Sequence, residues 1–399
     1  MKKWISCLLA VVMLLAALPG CAADRKTNAE TASAGSGIFS QLTGIADDQN
    51  VMTINDTNIT AQEYLYWLTY RCASMEYNIL NYNAYYGAYE DLVNQEDSNV
   101  RWNNAFQDGQ TLAQYVRQET ESTLRFYAAI AQMAEKYHVR LDKEDQAAIT
   151  ESLNNTIQEQ GGQEGFHRYL QKLGISQETF RELSESGYLF DDLLELVLQE
   201  GSELYLPLER YDSYATYADH ILLTTIDTTT GQPLSDEMIQ TKKALAEDLL
   251  AQLKAAKPEE VPALFAQLAD KYSEDPGRAE NPEGYIFTPN TMLLSFEEAA
   301  NSLAVGQISD IVDSDYGYHI ILRKDLAQAL EKNPQQRASL AQKHLTALLT
   351  SLGNEAAVTV APEIEKLDIS VFYPAYAAKI KALSTTAETA ETAATGESK

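Results

Sequence analysis

The chain has 399 residues, 45% of them hydrophobic, with 58 acidic against 30 basic side chains and a net charge of −28. That length accommodates about two or three domains with ample cores. The charge argues against a basic surface for nucleic acid or anionic lipid, and favours solubility and basic or unfolded partners.

The opening stretch, MKKWISCLLAVVMLLAALPGC, has two lysines, a long apolar run and small residues before Cys21. This predicts a secretory signal over residues 1–20; its apolar core is short for a stable membrane span, and no comparable stretch follows. Leu18, Gly20 and Cys21 fit a lipobox, where cleavage precedes a lipid-modified cysteine, although Pro19 is unusual there. Cleavage at that point leaves 28 basic against 58 acidic residues, near −30; ordinary cleavage nearby is the alternative. With Cys7 in the signal and lipid on Cys21, Cys72 stands alone. No intramolecular disulfide or zinc-like spacing then exists, and Cys72 reads as a small helix residue rather than a nucleophile.

Residues 21–50 are polar and small and read as a flexible tether. No proline occurs between Pro19 and Pro207, which suits a helical region over 51–210. A helix starts after Thr60, a predicted N-cap with Glu63 in capping-box position. Further helical runs follow near 110–138, 142–159, 163–172 and 176–200, the last restarting at Ser176 after Gly174. Residues 64–89 hold eight tyrosines and Trp67. These read as helix packing with hydroxyls reaching water, or as an adaptable aromatic surface for extended peptides.

From about 215 the texture changes. ADHILLT (218–224) is strand-like. A turn-bearing insert precedes a helix with Met238, Leu245, Leu249 and Leu253 on one face. VPALFAQLADKY is a second helix, with Pro262 in its first turn. SEDPGRAENPEG is a loop, SFEEAANSL a short helix capped by Ser295, and ISDIV and GYHIIL are two strands. The order strand, helix, helix, short helix, strand, strand predicts an α+β domain over 211–325. Helices near 326–332 and 335–352, within a segment 326–383, are expected to return onto the amino-terminal helices. Residues 384–399 are low-complexity, acidic and expected to be disordered.

Two of the chain's five histidines, His220 and His319, lie in apolar strand-like runs that open and close this domain. Each alone reads as a satisfied core residue. If the two strands are neighbours in the sheet, the rings can meet.

ADHILL, FAQLADKYSEDP, MLLSFEEAANSLAVGQISDIV and YGYHIIL, in that order, resemble a parvulin-type peptidyl-prolyl isomerase domain over about 215–325. The signal, helical first half and helical tail resemble the PrsA-type foldase lipoproteins and the related SurA-type chaperones. The resemblance implies a small antiparallel sheet wrapped by helices, inserted in a mainly helical chaperone domain.

It further implies that His220 and His319 are the family's paired histidines, that Asp275 is the acidic group facing substrate, and that Ser314 is the hydroxyl on the pair. Met292 and Phe296 are the implied proline pocket, with Leu293 and Tyr316 beside it. Two departures stand out: the family's GGDLG is here NPEGY, keeping only Gly284, and Leu293 replaces a frequent glutamine. No cofactor or metal is implied.

The implied function is that of an extracytoplasmic foldase held at the cell membrane by lipid on Cys21. Its partners would be unfolded secreted proteins with X–Pro bonds, with homodimerisation left open. A holdase with a weak or silent isomerase domain is the alternative. A solute-binding lipoprotein is disfavoured, because repeated α/β units are lacking. The chain also has no H-E-x-x-H, P-loop or G-x-S-x-G motif for protease, metal or nucleotide chemistry.

Overall fold

The structure, a computed structural model, describes residues 37–396, so the signal, Cys21 and the first part of the tether lie outside it. In chain order the elements are α1 (Ile38–Thr43), β1 (Asn50–Ile54), β2 (Thr57–Thr60), α2 (Ala61–Tyr86), β3 (Ala105–Gln107), β4 (Gln110–Thr111), α3 (Leu112–Lys136), α4 (Lys143–Glu159), α5 (Gln163–Leu173) and α6 (Gln177–Leu198). Next come β5 (Thr216–Thr224), α7 (Asp236–Ala255), α8 (Val261–Tyr272), β6 (Tyr285–Phe287), α9 (Leu294–Ser302), β7 (Val312–Ser314) and β8 (Gly317–Arg323). The chain continues through α10 (Leu326–Lys332), α11 (Pro334–Glu355), β9 (Val358–Val360), α12 (Pro362–Glu365) and α13 (Ile369–Gly396). Among the described residues, no helix is long and apolar enough to cross a membrane.

The contacts divide the chain into two units. One comprises the residues up to Glu195 and those from Thr346; the other is Leu196–Leu345. The inserted unit is thus wider at both ends than the predicted 211–325, because residues 196–210, α10 and the first part of α11 also belong to it.

In the first unit, Thr60 caps α2 by accepting the Glu63 N–H at 3.2 Å, and Ser176 does the same for the Thr179 N–H at 3.0 Å. α2 buries Tyr64, Leu65, Leu68 and Cys72 at helical spacing in a core shared with α3, α5 and the carboxy-terminal segment. Arg117 of α3 donates to the carbonyls of Ile364 and Leu367 at 2.7 Å each, fixing the returning segment.

Three features depart from the sequence reading. α1 lies within the expected tether, yet Ile38 and Phe39 are core residues, with Phe39 stacked on Tyr376 at 5.7 Å. β1 lies between β2 and β9, all antiparallel, forming a sheet in a region expected to be helical. α13 runs to Gly396, where a disordered tail was expected from 384.

The second unit is built on an antiparallel sheet of order β6-β5-β8-β7. Residues of β5 and β8 alternate between its two faces. Ile221, Leu223, Ile320 and Leu322 pack against α7 and α8, while Ala218 and Ile321 pack with Phe287 and against α9. Burying each of these leucine, isoleucine and phenylalanine side chains contributes about 1.5–3 kcal/mol. On α7, Leu249 and Leu253 are buried as predicted, but Met238 is 49% exposed, because the first turns of the helix project past the sheet's core. β6 is a strand absent from the predicted order.

Candidate active site

β5 and β8 are antiparallel neighbours, with His220 opposite Ile321 and Leu222 opposite His319. The two histidines are therefore diagonal neighbours on the α9 face. Both are buried, their rings lie 12° from parallel, and their Nδ1 atoms are 3.0 Å apart. At its outer end His220 Nε2 reaches Asp275 Oδ2 at 3.0 Å, and His319 Nε2 reaches Ser314 Oγ at 2.8 Å. Four residues, from three strands and one loop, thus form one polar chain.

The partners fix the proton positions. Asp275 accepts, so His220 carries its proton on Nε2 and accepts on Nδ1 from His319, which in turn accepts on Nε2 from the Ser314 hydroxyl. Every group is matched with both rings neutral. One added proton is also accommodated. His220 then donates from both nitrogens, His319 donates to Ser314, and the Ser314 hydroxyl turns to the Gly317 carbonyl at 3.1 Å. A second added proton would set N–H against N–H. Burial first, and the charge of His220 second, depress the His319 ring to about 4.

Asp275 is held from several sides. Its Oδ1 accepts the Gly277 N–H at 3.1 Å, and its Oδ2 also accepts the Tyr285 hydroxyl at 2.5 Å. Burial alone would raise its pKa; the bonds from His220 and Tyr285 outweigh that and hold it at about 2. The carboxylate is ionised at neutral pH. Burial and that carboxylate push the Tyr285 hydroxyl up.

The apolar side of the site is Phe296. Its ring meets His220 edge-on at 5.2 Å and His319 at 5.7 Å, and packs on Phe287. Met292 and Leu293 are half-buried against the same cluster, whereas Tyr316 is 50% exposed and offers its backbone N–H to Ser314 Oγ. Ser295 does not cap α9: Leu293 is the N-cap residue, with no side-chain bond. The buried Glu297 carboxylate instead accepts the N–H groups of Asn290, Thr291 and Met292 at 2.9, 2.8 and 2.7 Å. These bonds hold its pKa below the usual carboxylate range and pin the loop that presents Met292.

Sequence reasoning missed Glu297 and Tyr285. The first reads in the sequence as a surface acid of a short helix; the second lies in the altered NPEGY loop. In that loop, Gly284 adopts φ +95°, and a Cβ there would lie 2.5 Å from the Ala218 carbonyl oxygen. Elsewhere, Cys72 is buried, and burial raises its pKa, which suits an inert thiol. Among the described residues, no group of three or more His, Cys, Asp or Glu side chains could hold a metal ion.

This sheet with its histidine pair, acid, hydroxyl and apolar wall defines a parvulin-type peptidyl-prolyl isomerase domain. Residues 220–325 match the family model described as a PPIC-type PPIASE domain, or rotamase. The chain is similar to the curated foldase protein PrsA of Geobacillus sp., at 56% identity over 58 residues, 14% of this chain and 21% of that one. It is also similar to PrsA of Oceanobacillus iheyensis, at 29% identity over 225 residues, 53% of this chain and 62% of the relative. The chain therefore spans less than two thirds of these relatives' length. The solved structure of a peptidylprolyl isomerase (PrsA) from Bacillus cereus matches 65% of this chain and 94% of its own, at 21% identity and a TM-score of 0.32.

Proposed function

We propose that this chain is an extracytoplasmic foldase, anchored through lipid on Cys21, that isomerises X–Pro bonds in unfolded secreted proteins. The observation that carries the reading is the closed chain Ser314–His319–His220–Asp275 lying against the Phe296 ring.

Rotation about a peptide bond faces a barrier of ~18–20 kcal/mol, and no bond has to break. The task is to bind the twisted amide better than the planar one. The planar amide is charge-separated, with negative charge on its oxygen. A dry apolar pocket and an ionised carboxylate both disfavour that distribution, so both favour the twisted form. In this reading Met292 and Phe296 hold the proline ring, with Leu293 and Tyr316 at its margin. Asp275 faces the amide. His220 and His319 orient Asp275 and Ser314 and are positioning residues rather than a general acid and base. Each ~1.36 kcal/mol of preference for the twisted amide gives about tenfold in rate.

The test is the refolding of a secreted protein whose slow phase is prolyl isomerisation. Substoichiometric chain is expected to speed that phase. The holdase alternative predicts suppressed aggregation with the slow phase unchanged.

A further inference from the structure

Among the described residues, five of the twelve large exposed hydrophobic side chains fall within thirteen consecutive positions: Tyr77, Tyr82, Tyr85, Tyr86 and Tyr89, at 70, 54, 80, 77 and 43% exposure. Tyr82, Tyr85 and Tyr86 share one face of the last turns of α2 and touch one another, with ring centroids 5.9 and 6.4 Å apart for Tyr82–Tyr86 and Tyr85–Tyr86. None of the three belongs to the unit's buried core. Gly87, with φ +62°, ends the helix, and Tyr89 then turns onto Phe106 of the β3–β4 hairpin at 6.1 Å. The segment that follows the tyrosines is acidic: Glu90, Asp91, Glu96, Asp97 and Asp108 are all exposed, against the single base Arg101. The Glu90 carboxylate lies back beside Gly87 at the helix end.

We propose that this tyrosine face is a docking surface for an extended polypeptide segment carrying Arg or Lys. The inference rests on the foldase reading, which supplies unfolded chains as ligands. The charge selects the occupant. Aromatic faces attract guanidinium and ammonium groups, and the carboxylates beside them add to that attraction. The same acids repel an anionic lipid surface, and two copies of so acidic a face repel each other. Tyrosine supplies contact area at low entropic cost and with a hydrogen-bonding hydroxyl, which suits varied sequences better than a shaped pocket.

The experiment titrates the full chain against two fluorescein-labelled unstructured peptides free of proline, one bearing arginines and one with glutamates in their place. Two variants are compared with the parent: the combined Tyr82→Ser, Tyr85→Ser, Tyr86→Ser, and the combined Glu90→Gln, Asp91→Asn, Glu96→Gln, Asp97→Asn. The arginine peptide is expected to bind the parent, and each variant about tenfold more weakly, with salt weakening the parent's binding. Exchange of a short X–Pro peptide is expected to be unchanged in both variants. Equal binding by parent and both variants, or equal binding of the glutamate peptide, overturns the proposal. So does a parent dimer, or capture by phosphatidylglycerol vesicles, that the tyrosine variant abolishes. Absence of X–Pro exchange in the parent would instead strike at the foldase reading, while the peptide titration still decides whether the face binds cationic chain.

Discussion

His220 and His319 are not cross-strand partners; they sit diagonally across β5 and β8, and their Nδ1 atoms still meet at 3.0 Å. The twist of neighbouring strands closes that diagonal. Each ring then has its second nitrogen free to hold one more group, Asp275 on one side and Ser314 on the other.

Replacing either histidine by alanine removes two hydrogen bonds and leaves a buried acceptor or donor unmatched, a cost of about 1–3 kcal/mol per orphaned group. If that orientation is what catalysis uses, turnover of an X–Pro peptide falls roughly ten- to a hundredfold. Steady exchange rates together with a circular dichroism spectrum of each variant check this.

The depressed His319 ring makes stability depend on pH. An unfolded histidine takes its proton near 6.5, while the folded ring takes it at about 4. Between those values the unfolded chain binds more protons. The contribution is therefore fully present above about 6.5 and is lost as pH falls towards about 4. Thermal midpoints of the parent are expected to drop across that window, and the drop is expected to be smaller in His319→Gln.

Tyr285→Phe removes one of the donors to Asp275 Oδ2 and leaves the His220 bond in place. The Asp275 pKa is expected to rise from about 2 towards the ordinary carboxylate value. The acid limb of the exchange rate then moves to higher pH, with the rate at neutral pH reduced severalfold at most. A pH profile of exchange for parent and variant reads both effects.

Glu297→Gln keeps the size of the side chain but loses the charge that gathers the N–H groups of Asn290, Thr291 and Met292. Charge-assisted bonds of this kind are worth about 1.5–3 kcal/mol. With the loop loosened, Met292 is less well placed. Weaker peptide binding, a KM raised about tenfold, is expected with a smaller change in kcat. Equal loss of both would show a general defect of folding instead.

Gly284→Ala forces a side chain into a left-handed position 2.5 Å from a backbone carbonyl of β5. The β5–β6 pairing has to shift, and destabilisation by about 1–3 kcal/mol is expected, read as a lowered urea midpoint. This is the constraint that keeps one glycine in the otherwise altered NPEGY loop.

The site was legible where local pattern and chemistry coincide. Each histidine alone read as a core residue; their place at the two ends of one domain and the family resemblance suggested a pair, and the pairing of β5 with β8 puts both rings on one face. The helices of the first unit were visible from their periodicity and from the caps at Thr60 and Ser176. What escaped depended on distance along the chain or on backbone detail. β9 pairs with β1 across more than three hundred residues, over three-residue and five-residue strands that leave little trace in composition. Glu297 looked like one more surface acid on a short helix, because only the fold of the 288–293 loop brings three N–H groups to it. Tyr285 was hidden by a loop that departs from the family pattern. Ile38 and Phe39 sat in a polar stretch whose average character masked two core residues.

The central claim is that the histidine-centred chain orients a site that twists X–Pro bonds. The most direct measurement is NMR exchange spectroscopy on a panel of X–Pro peptides, with the parent chain beside a folded His220→Ala, His319→Ala variant. The account predicts faster cis/trans exchange with the parent and loss of that acceleration in the variant. A variant that accelerates exchange as well as the parent does, with its fold intact, would contradict it.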